Sequence, residues 1–338
     1  MTGMRTNRRT FLRTSAASVA AGLAILRSAR ADEAPAVSPV DSPLRMVAVW
    51  GKQGTGPGEF NLPIGIALGP RGEVFVSDTH NNRVQRFTPD GKFLGEFPVP
   101  EFPGGIAVDR DGLVYVAPMM SHKICVCSPD GKLVREWGKK GTGDGDVDQP
   151  GGIAIAPDGT VYVADQVNRR MQRFTPEGQF ICKWGEYGDK PGQFDGKASR
   201  SGRVGGPNFV AIDPAGCVYT TEATLGRVQK FSPEGRPLLA FGDNSTEPGG
   251  FGGRPPLIGP IAICLDRRQR IWVSSTNHRV QRFTAAGKFI DGAISLTSGE
   301  GPGQFSTPHG VVIDGEGNLY VADSRNYRIQ KFAVAEPR

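Results

Sequence analysis

Residues 63–97 read PIGIALGPRGEVFVSDTHNNRVQRFTPDGKFLGEF, which is four short apolar runs separated by turns that contain Gly or Asp. The runs are rich in Val, Ile and Phe, a composition typical of β-strands, and the turns are short enough to join antiparallel neighbours. This stretch therefore predicts one sheet of four antiparallel strands.

The same pattern occurs six times along the chain. A proline opens the first apolar run, and a basic residue that starts the third run follows 20 residues later, or 19 in one case. The six pairs are Pro63 and Arg83, Pro103 and Lys123, Pro150 and Arg170, Pro207 and Arg227, Pro260 and Arg279, and Pro308 and Arg328. A four-stranded sheet cannot bury both apolar faces alone, so repeated sheets pack around an axis. We predict an all-β fold, a six-bladed β-propeller with four antiparallel strands per blade.

The two ends of the repeat region complement each other. The sixth repeat stops after Phe332, three strands in, with six residues remaining. Residues 45–51, RMVAVWG, resemble the fourth strands that end at Trp137 and Trp184. We predict that this N-terminal strand completes the last blade, within a propeller domain spanning 44–334, and leaves no open sheet edge between first and last blades.

The third runs resemble the NHL family, whose repeats end in Asn-x-Arg-Ile/Val-Gln-x-Phe. Residues 81–87, 168–174, 277–283 and 326–332 are close to this pattern, 225–231 is looser, and 123–127 has lost the Arg, Gln and Phe. The resemblance covers roughly residues 45–332. It implies a propeller, and relatives of this kind bind proteins or nucleic acids or, in a few cases, catalyse reactions.

The first 31 residues have a different character. Arg8 and Arg9 precede an apolar stretch at 16–26, and small residues follow at Ala29 and Ala31, where a signal peptidase would cleave. The stretch resembles a twin-arginine (Tat) signal and is too short to span about 30 Å of hydrocarbon. We predict a Tat signal peptide at 1–31, a Pro-rich linker at 32–43, and a chain that is periplasmic or secreted.

The charge balance depends on that signal. The chain has 40 Lys and Arg against 34 Asp and Glu, but the first 31 residues contain six arginines and no acid. The remaining chain is therefore close to neutral, whereas proteins that bind phosphate backbones need a basic surface. This argues against nucleic acid as a partner and favours a protein, peptide or glycan ligand.

Five cysteines follow the signal, at positions 125, 127, 182, 217 and 264. An odd number cannot pair completely within one chain, and Cys125 and Cys127 are too close along a strand for disulfide geometry. No pair has the spacing of zinc ligands. We interpret the five cysteines as core residues.

Loop length differs between the two ends of the predicted blades. The turns between first and second strands, and between third and fourth, are nearly all tight turns with Gly, whereas the long links at 138–149, 185–206, 242–259 and 290–307 all reach the opposite face. Functional residues tend to lie on such loops above a rigid scaffold, so we place the binding face there. Its candidate residues are Asn208 and His309 after two repeat prolines, His80 and His278 after second strands, and the acids Asp78, Asp165, Glu222 and Asp323 at second-strand ends.

The four acids have two interpretations. Each lies five residues before the basic residue of its own repeat, a spacing that predicts an ion pair across the loop. The alternative is a ring of metal ligands. The replacement of acid and arginine together, at Pro118 and Lys123, favours the ion pair.

The stretch 302–310, PGQFSTPHG, resembles a segment of the peptidyl-α-hydroxyglycine amidating lyases, which are zinc-dependent six-bladed propellers. The resemblance implies that His309 is a zinc ligand, but the second Pro-His and the third-strand histidine of that family are absent here. No cofactor motif is evident, although His309 and neighbouring acids could hold Zn²⁺ or Ca²⁺. Two functions stay open: an exported binding scaffold, or a metal-dependent lyase or hydrolase, amidating-lyase-like or lactonase-like, at the axial mouth.

Overall fold

A computed structural model describes residues 44–194, 205–252, 259–293 and 298–335. The predicted signal peptide at 1–31 and linker at 32–43 lie outside these ranges, as do parts of three long links. The described residues form six sheets of four strands each, in the antiparallel order of a propeller. This confirms the predicted fold class.

The N-terminal strand is β1 (Leu44–Trp50). The first three blades consist of β2 (Pro63–Leu68), β3 (Val74–Asp78), β4 (Arg83–Phe87) and β5 (Phe93–Pro98); β6 (Pro103–Val108), β7 (Val114–Pro118), β8 (Ile124–Cys127) and β9 (Leu133–Trp137); and β10 (Pro150–Ile155), β11 (Val161–Asp165), β12 (Arg170–Phe174) and β13 (Phe180–Trp184).

The last three blades consist of β14 (Val210–Ile212), β15 (Val218–Glu222), β16 (Arg227–Phe231) and β17 (Pro237–Phe241); β18 (Pro260–Leu265), β19 (Ile271–Ser275), β20 (Arg279–Phe283) and β21 (Phe289–Ala293); and β22 (Pro308–Ile313), β23 (Asn318–Asp323) and β24 (Arg328–Val334). Helix within the described ranges is confined to three short 3-10 turns, Thr79–Asn81, Met119–Ser121 and Ser324–Asn326. No helix in those ranges is long and apolar enough to cross a membrane.

Strand β1 closes the last blade. It pairs antiparallel with β24, from Leu44 opposite Val334 to Trp50 opposite Ile329, so the sheet order is β1-β24-β23-β22. The backbone groups of the final sheet edge are thereby paired by the other end of the domain. The predicted closure is confirmed.

The apolar core lies between neighbouring blades. Where the first and last blades meet, Val74, Val76 and Phe87 pack against Tyr320 and Ile329, all fully buried. The aromatic residue ending a fourth strand reaches into the next blade: ring centroids are 5.9 Å apart for Trp50 and Phe87, 5.8 Å for Trp137 and Phe174, 5.8 Å for Trp184 and Phe231, and 5.2 Å for Phe241 and Phe283. These contacts explain the recurring aromatic residues at both positions.

All five cysteines are free thiols, and Cys125, Cys127 and Cys264 are buried. Cys127 occupies the position of Phe87 and Phe174 and packs among the apolar residues between the first two blades. Burial raises the pKa of the Cys125 thiol to about 12. The predicted core role is confirmed for these three.

The innermost strands bend just after the repeat proline. In blade 6, Pro308 lies opposite Asp323 but Val311 lies opposite Val321, so one extra residue is accommodated on the inner strand. Glycine allows the close approach that follows, since a Cβ on Gly310 would lie 2.5 Å from the carbonyl oxygen of Ile64 in the next blade.

Blade 4 departs from the sequence prediction. Its inner strand begins at Val210, three residues after Pro207. The backbone still bonds to the second strand, but the Phe209 N–H donates to the Thr221 hydroxyl at 3.1 Å, which replaces a regular ladder bond. The Ala262 N–H makes the same bond to the Ser274 hydroxyl in blade 5, whose inner strand begins at Pro260, so this bond alone does not set where the strand begins.

Candidate functional site

The polar residues of the loop-rich face fall into two groups. One group repeats from blade to blade and forms a hydrogen-bonded scaffold. The other group occurs once each, around the ends of the inner strands. We call this second region the axial mouth and define it by Gln166, Asn208, His278, Thr307 and His309.

The four acids belong to the repeating scaffold. Each carboxylate is fully buried and accepts from the Nε of its own arginine. The distances are 2.8 Å from Arg83 to Asp78, 2.7 Å from Arg170 to Asp165, 2.7 Å from Arg227 to Glu222, and 2.8 Å from Arg328 to Asp323. The ion pairs predicted from the five-residue spacing are therefore present.

Further donors complete each pair. In blade 3, the second carboxylate oxygen of Asp165 accepts from the backbone N–H of Asp148 at 2.8 Å, and the amides of Asn168 and Gln172 also donate to this carboxyl group. The guanidinium of Arg170 in turn donates to three backbone carbonyls of the preceding link, at 142, 143 and 146, each at 2.8 Å. The acid and the arginine thus fasten the link between blades to the sheet.

Burial has a measurable electrostatic consequence for these acids. It raises the pKa of Asp165 and of Asp323, because a carboxylate removed from water loses solvation, while the donors around it act in the opposite direction. Their donor-filled surroundings leave these carboxylates no access to a ligand.

Two blades lack the acid. In blade 2, Lys123 replaces the arginine and pairs with Glu136 at 2.5 Å, both about 40 % exposed. In blade 5, Ser275 replaces the acid, and the Arg279 guanidinium donates to the carbonyls of Glu247 and Gly250. In blade 5 the scaffold therefore tolerates the loss of the acid, because backbone carbonyls accept hydrogen bonds from the arginine.

Asn208 and Gln166 meet at the axial mouth. The Gln166 amide donates to Asn208 Oδ1 at 3.1 Å, and the Asn208 amide donates to the Pro260 carbonyl at 3.3 Å in the next blade. Both residues are more than nine-tenths buried, and Gln166 Oε1 has no hydrogen-bond partner among the described residues. A buried amide oxygen without a donor is costly unless a ligand or water supplies one.

His309 lies in the bend of the inner strand of blade 6. Its Nδ1 is 3.0 Å from the Thr307 carbonyl oxygen, and its own carbonyl accepts from the Ser274 hydroxyl. Burial, with a smaller contribution from the charge of Arg325, lowers the pKa of His309 to about 4. The ring is therefore neutral at pH 7.

The other predicted histidines differ in their surroundings. His278 is buried, and its Nδ1 accepts from the Thr307 backbone N–H at 3.1 Å. His80 is exposed, and its ring centroid lies 5.5 Å from that of Phe102. The structure brings His278 and His309 to the same residue, Thr307, whereas the ring contact of His80 is with Phe102, outside the residues that define the mouth.

Sequence reasoning missed Gln166, Thr307 and Arg325. Thr307 and Arg325 stand at loop positions where the other blades carry unrelated residues, and Gln166 replaces the hydroxyl residue that Thr79, Thr276 and Ser324 provide, so no motif marks them. The available signal was departure from the repeat: Arg325 occupies the position of His80, Met120 and Val167 in the first three blades.

A cavity of about 770 Å³ opens on the opposite face, among the tight turns of blades 2 to 5. Several aspartates line it, including Asp109, Asp213 and Asp266, but each caps its own turn. Asp109 Oδ1, for example, accepts from the backbone N–H of Asp111 at 3.0 Å and of Leu113 at 2.8 Å. These carboxylates serve turn structure, so the cavity carries less evidence of a site than the axial mouth does.

The residues that the structure describes form no ligand set for a protein-bound metal. Within the described ranges, no three His, Cys, Asp or Glu side chains come together in a group that could hold an ion. Three such ligands are the usual minimum for catalytic zinc. The acids nearest His309 are enclosed by their own donors, as Asp323 is by Arg328 and Gln330.

Comparison with known proteins agrees with the fold. The NHL repeat family matches residues 60–87 and 305–332, in the first and last blades. Mouse peptidyl-glycine alpha-amidating monooxygenase is 34% identical over 134 residues, which cover 37% of this chain and 13% of that protein. The chain carries NHL repeats and has distant similarity to this enzyme, of whose length it spans a small part.

Solved structures share the architecture at low identity. Virginiamycin B lyase from Staphylococcus aureus superposes with a TM-score of 0.54 and 18% identity, over 80% of this chain and 94% of that one. A gluconolactonase from Xanthomonas campestris gives a TM-score of 0.57 and 17% identity, over 88% and 98%. At this identity the likeness shows the propeller fold alone.

Proposed function

We propose that the chain is an exported binding propeller that holds a protein, peptide or glycan ligand at the axial mouth of its loop-rich face. NHL propellers commonly mediate interactions with proteins, which agrees with this role. The observation that carries the proposal is the division of the polar residues: the repeating acids are enclosed in the scaffold, whereas Gln166, Asn208 and His309 stand apart from it.

The chemistry of the mouth supports binding over proton transfer. Its groups are two amides, the threonine Thr307, and two histidines, of which His309 has a pKa of about 4 that keeps it neutral at pH 7. Neutral donors and acceptors in fixed positions give orientation and specificity to a ligand. The unsatisfied Gln166 Oε1 is an acceptor that a ligand N–H or O–H would complete.

Array binding tests the proposal. The purified chain, its Asn208→Leu variant and an Asp111→Asn control on the tight-turn face would be applied to peptide and glycan arrays. We expect to find ligands whose affinity falls at least about tenfold in Asn208→Leu, because this change removes two hydrogen bonds in the mouth. The affinity of the same ligands should be unchanged in Asp111→Asn. Ligands lost in Asp111→Asn and retained in Asn208→Leu would move the site to the opposite face.

A lyase or hydrolase is the second candidate, favoured by one observation. The Thr307 carbonyl accepts a hydrogen bond from His309 Nδ1–H. His309 Nε2 is then available to accept a proton from a substrate. Elemental analysis of the wild type and His309→Ala distinguishes the metal-dependent form of this candidate. Stoichiometric zinc or calcium that falls in the variant would replace the binding proposal; no metal in either protein is the result we expect.

A further inference from the structure

Thr307 connects two histidines through its backbone. Its N–H donates to His278 Nδ1 at 3.1 Å, and its carbonyl oxygen lies 3.0 Å from His309 Nδ1. A backbone N–H can only donate and a carbonyl can only accept, so His278 Nδ1 is bare and His309 Nδ1 carries the proton. The other ring nitrogen, Nε2, is therefore a donor on His278 and an acceptor on His309.

A positive charge lies beside this pair. The Arg325 backbone N–H donates to the Ser306 carbonyl at 3.0 Å, which holds Arg325 next to Thr307. Its side chain is exposed. Burial lowers the pKa of both His278 and His309, and the charge of Arg325 adds a smaller effect in the same direction. Within the part of the chain that the structure describes, the Arg325 guanidinium forms no ion pair.

Two buried hydroxyls in the same region lack partners. Thr307 and Thr276 are 6% and 7% exposed, and the Oγ1 of each has no hydrogen bond among the described residues. The corresponding hydroxyl of Thr79 donates to the carbonyl of the next repeat proline, Pro103, at 2.7 Å. The Thr276 hydroxyl makes no such bond among the described residues, so its O–H remains an unused hydrogen-bond donor.

The equivalent junction between blades 2 and 3 has the opposite charge. There His122 Nδ1 accepts from the Gln149 backbone N–H at 3.2 Å, as His278 does from Thr307. Asp148 Oδ1, however, lies 3.0 Å from that ring, and Val167 stands where blade 6 has Arg325. The positive junction is thus a local feature of blades 5 and 6 and no consequence of the repeat.

We infer that the junction of blades 5 and 6 binds a carboxylate group of the ligand, through the Arg325 guanidinium, the His278 Nε2–H and the hydroxyls of Thr276 and Thr307. The inference rests on the proposed function and names the chemistry of its ligand. A guanidinium and neighbouring donors match the two oxygens of a carboxylate, whereas a cation would meet the charge of Arg325. We call these four residues the carboxylate subsite.

Nuclear magnetic resonance of the histidine side chains tests the subsite in the full chain. Acetate is the probe, and acetamide is the neutral control of the same shape, both at constant ionic strength. We expect acetate to shift the His278 and His309 signals saturably and acetamide to leave them unchanged. The His122 signals serve as an internal control and should not move. A linear shift, or equal shifts at His122, would overturn the inference.

The chain supplies the matched variants. Arg325→Val and Ser306→Asp reproduce the junction of blades 2 and 3, and each should weaken acetate binding at least about tenfold, because a charged donor is lost or a like charge is added. His278→Asn keeps the backbone bond, as Asn82 Oδ1 accepts from the Phe102 N–H at 2.9 Å, but removes the Nε2–H. Unchanged acetate affinity in folded Arg325→Val would overturn the subsite.

The two proposals fail separately. Array ligands that depend on Asn208, together with no acetate response, would leave the binding function standing and remove the carboxylate subsite. Saturable acetate binding that depends on Arg325, with no array ligand, would support the subsite and remove the proposed macromolecular function.

Discussion

Replacement of Arg170 by Met tests how the loop-rich face is held together. The arginine side chain is 7% exposed and its Nε lies 2.7 Å from a carboxylate oxygen of Asp165, which is fully buried. Removing one partner of such a pair costs about 3–5 kcal/mol because the other charge stays buried and unpaired. The amides of Asn168 and Gln172 still donate to Asp165, so we expect the free energy of unfolding to fall by about 3 kcal/mol.

Lys123→Met is the matched control, at the same position of blade 2. Its partner Glu136 is 39% exposed, and exposed pairs contribute at most about 1 kcal/mol. Urea unfolding followed by tryptophan fluorescence measures the free energy of unfolding of both variants. The m-value, which is the slope of this free energy against urea concentration, should match that of the wild type. Equal losses of stability in the two variants would refute the view that Arg170 and Asp165 act as a buried fastening.

The stability that Arg170→Met loses should also depend on pH. Burial raises the pKa of Asp165, so the native carboxyl binds a proton more readily than the unfolded one, and its contribution to stability falls as pH rises. Loss of Arg170 raises this pKa further. Arg170→Met should therefore lose more stability relative to wild type at pH 7.5 than at pH 5, and a constant difference between the two pH values would contradict the reasoning.

Three further outcomes are expected. Trp50→Ala should lower the free energy of unfolding by about 2 kcal/mol, because Trp50 packs 5.9 Å from Phe87 across the closing blade, while Val49→Ala, at a 52% exposed site, should change it little; equal effects would contradict this. Between pH 6.5 and 4 the wild type should lose about 2–3 kcal/mol that His309→Asn does not lose, since a lowered folded pKa favours the unfolded state as pH falls; identical pH profiles would exclude His309 as the cause. Cys125 should react with a thiol reagent only after unfolding, and modification in the native state would contradict its burial.

The fold could be predicted because the sequence of each blade shows the same four-strand pattern independently of the others. The six prolines and six basic residues predict the same strand order in each blade. The apolar run that ends at Trp50 predicts the strand that is missing from the last blade. The exception was the start of the inner strand in blade 4. The Thr221 hydroxyl accepts a backbone N–H there, but Ser274 does the same in blade 5 without a late start, and the apolar pattern carries no signal for the difference.

The candidate site was harder to predict, since its contacts cross from one blade to the next. His278 and Thr307 are 29 residues apart, and their bond depends on how blades 5 and 6 pack. Sequence reasoning found the acids of the repeat and paired each with its arginine, because that contact lies within one loop. It named His278 and His309 without detecting that one residue joins them, and it passed over Arg325 altogether.

This contrast has a physical cause that bears on where function lies in such chains. The acid and the arginine recur together in four of the six blades because they fasten the links between blades: Asp323 and Arg328 repeat the bonds of Asp165 and Arg170. Recurring polar groups are therefore occupied by the fold. In the proposed carboxylate subsite, the chemistry directed at a ligand falls to a group that interrupts the repeat, Arg325, whose position holds Val167 in blade 3. Exchange of such single residues would change ligand preference at little cost to the propeller, which explains how one architecture can serve ligands of different charge.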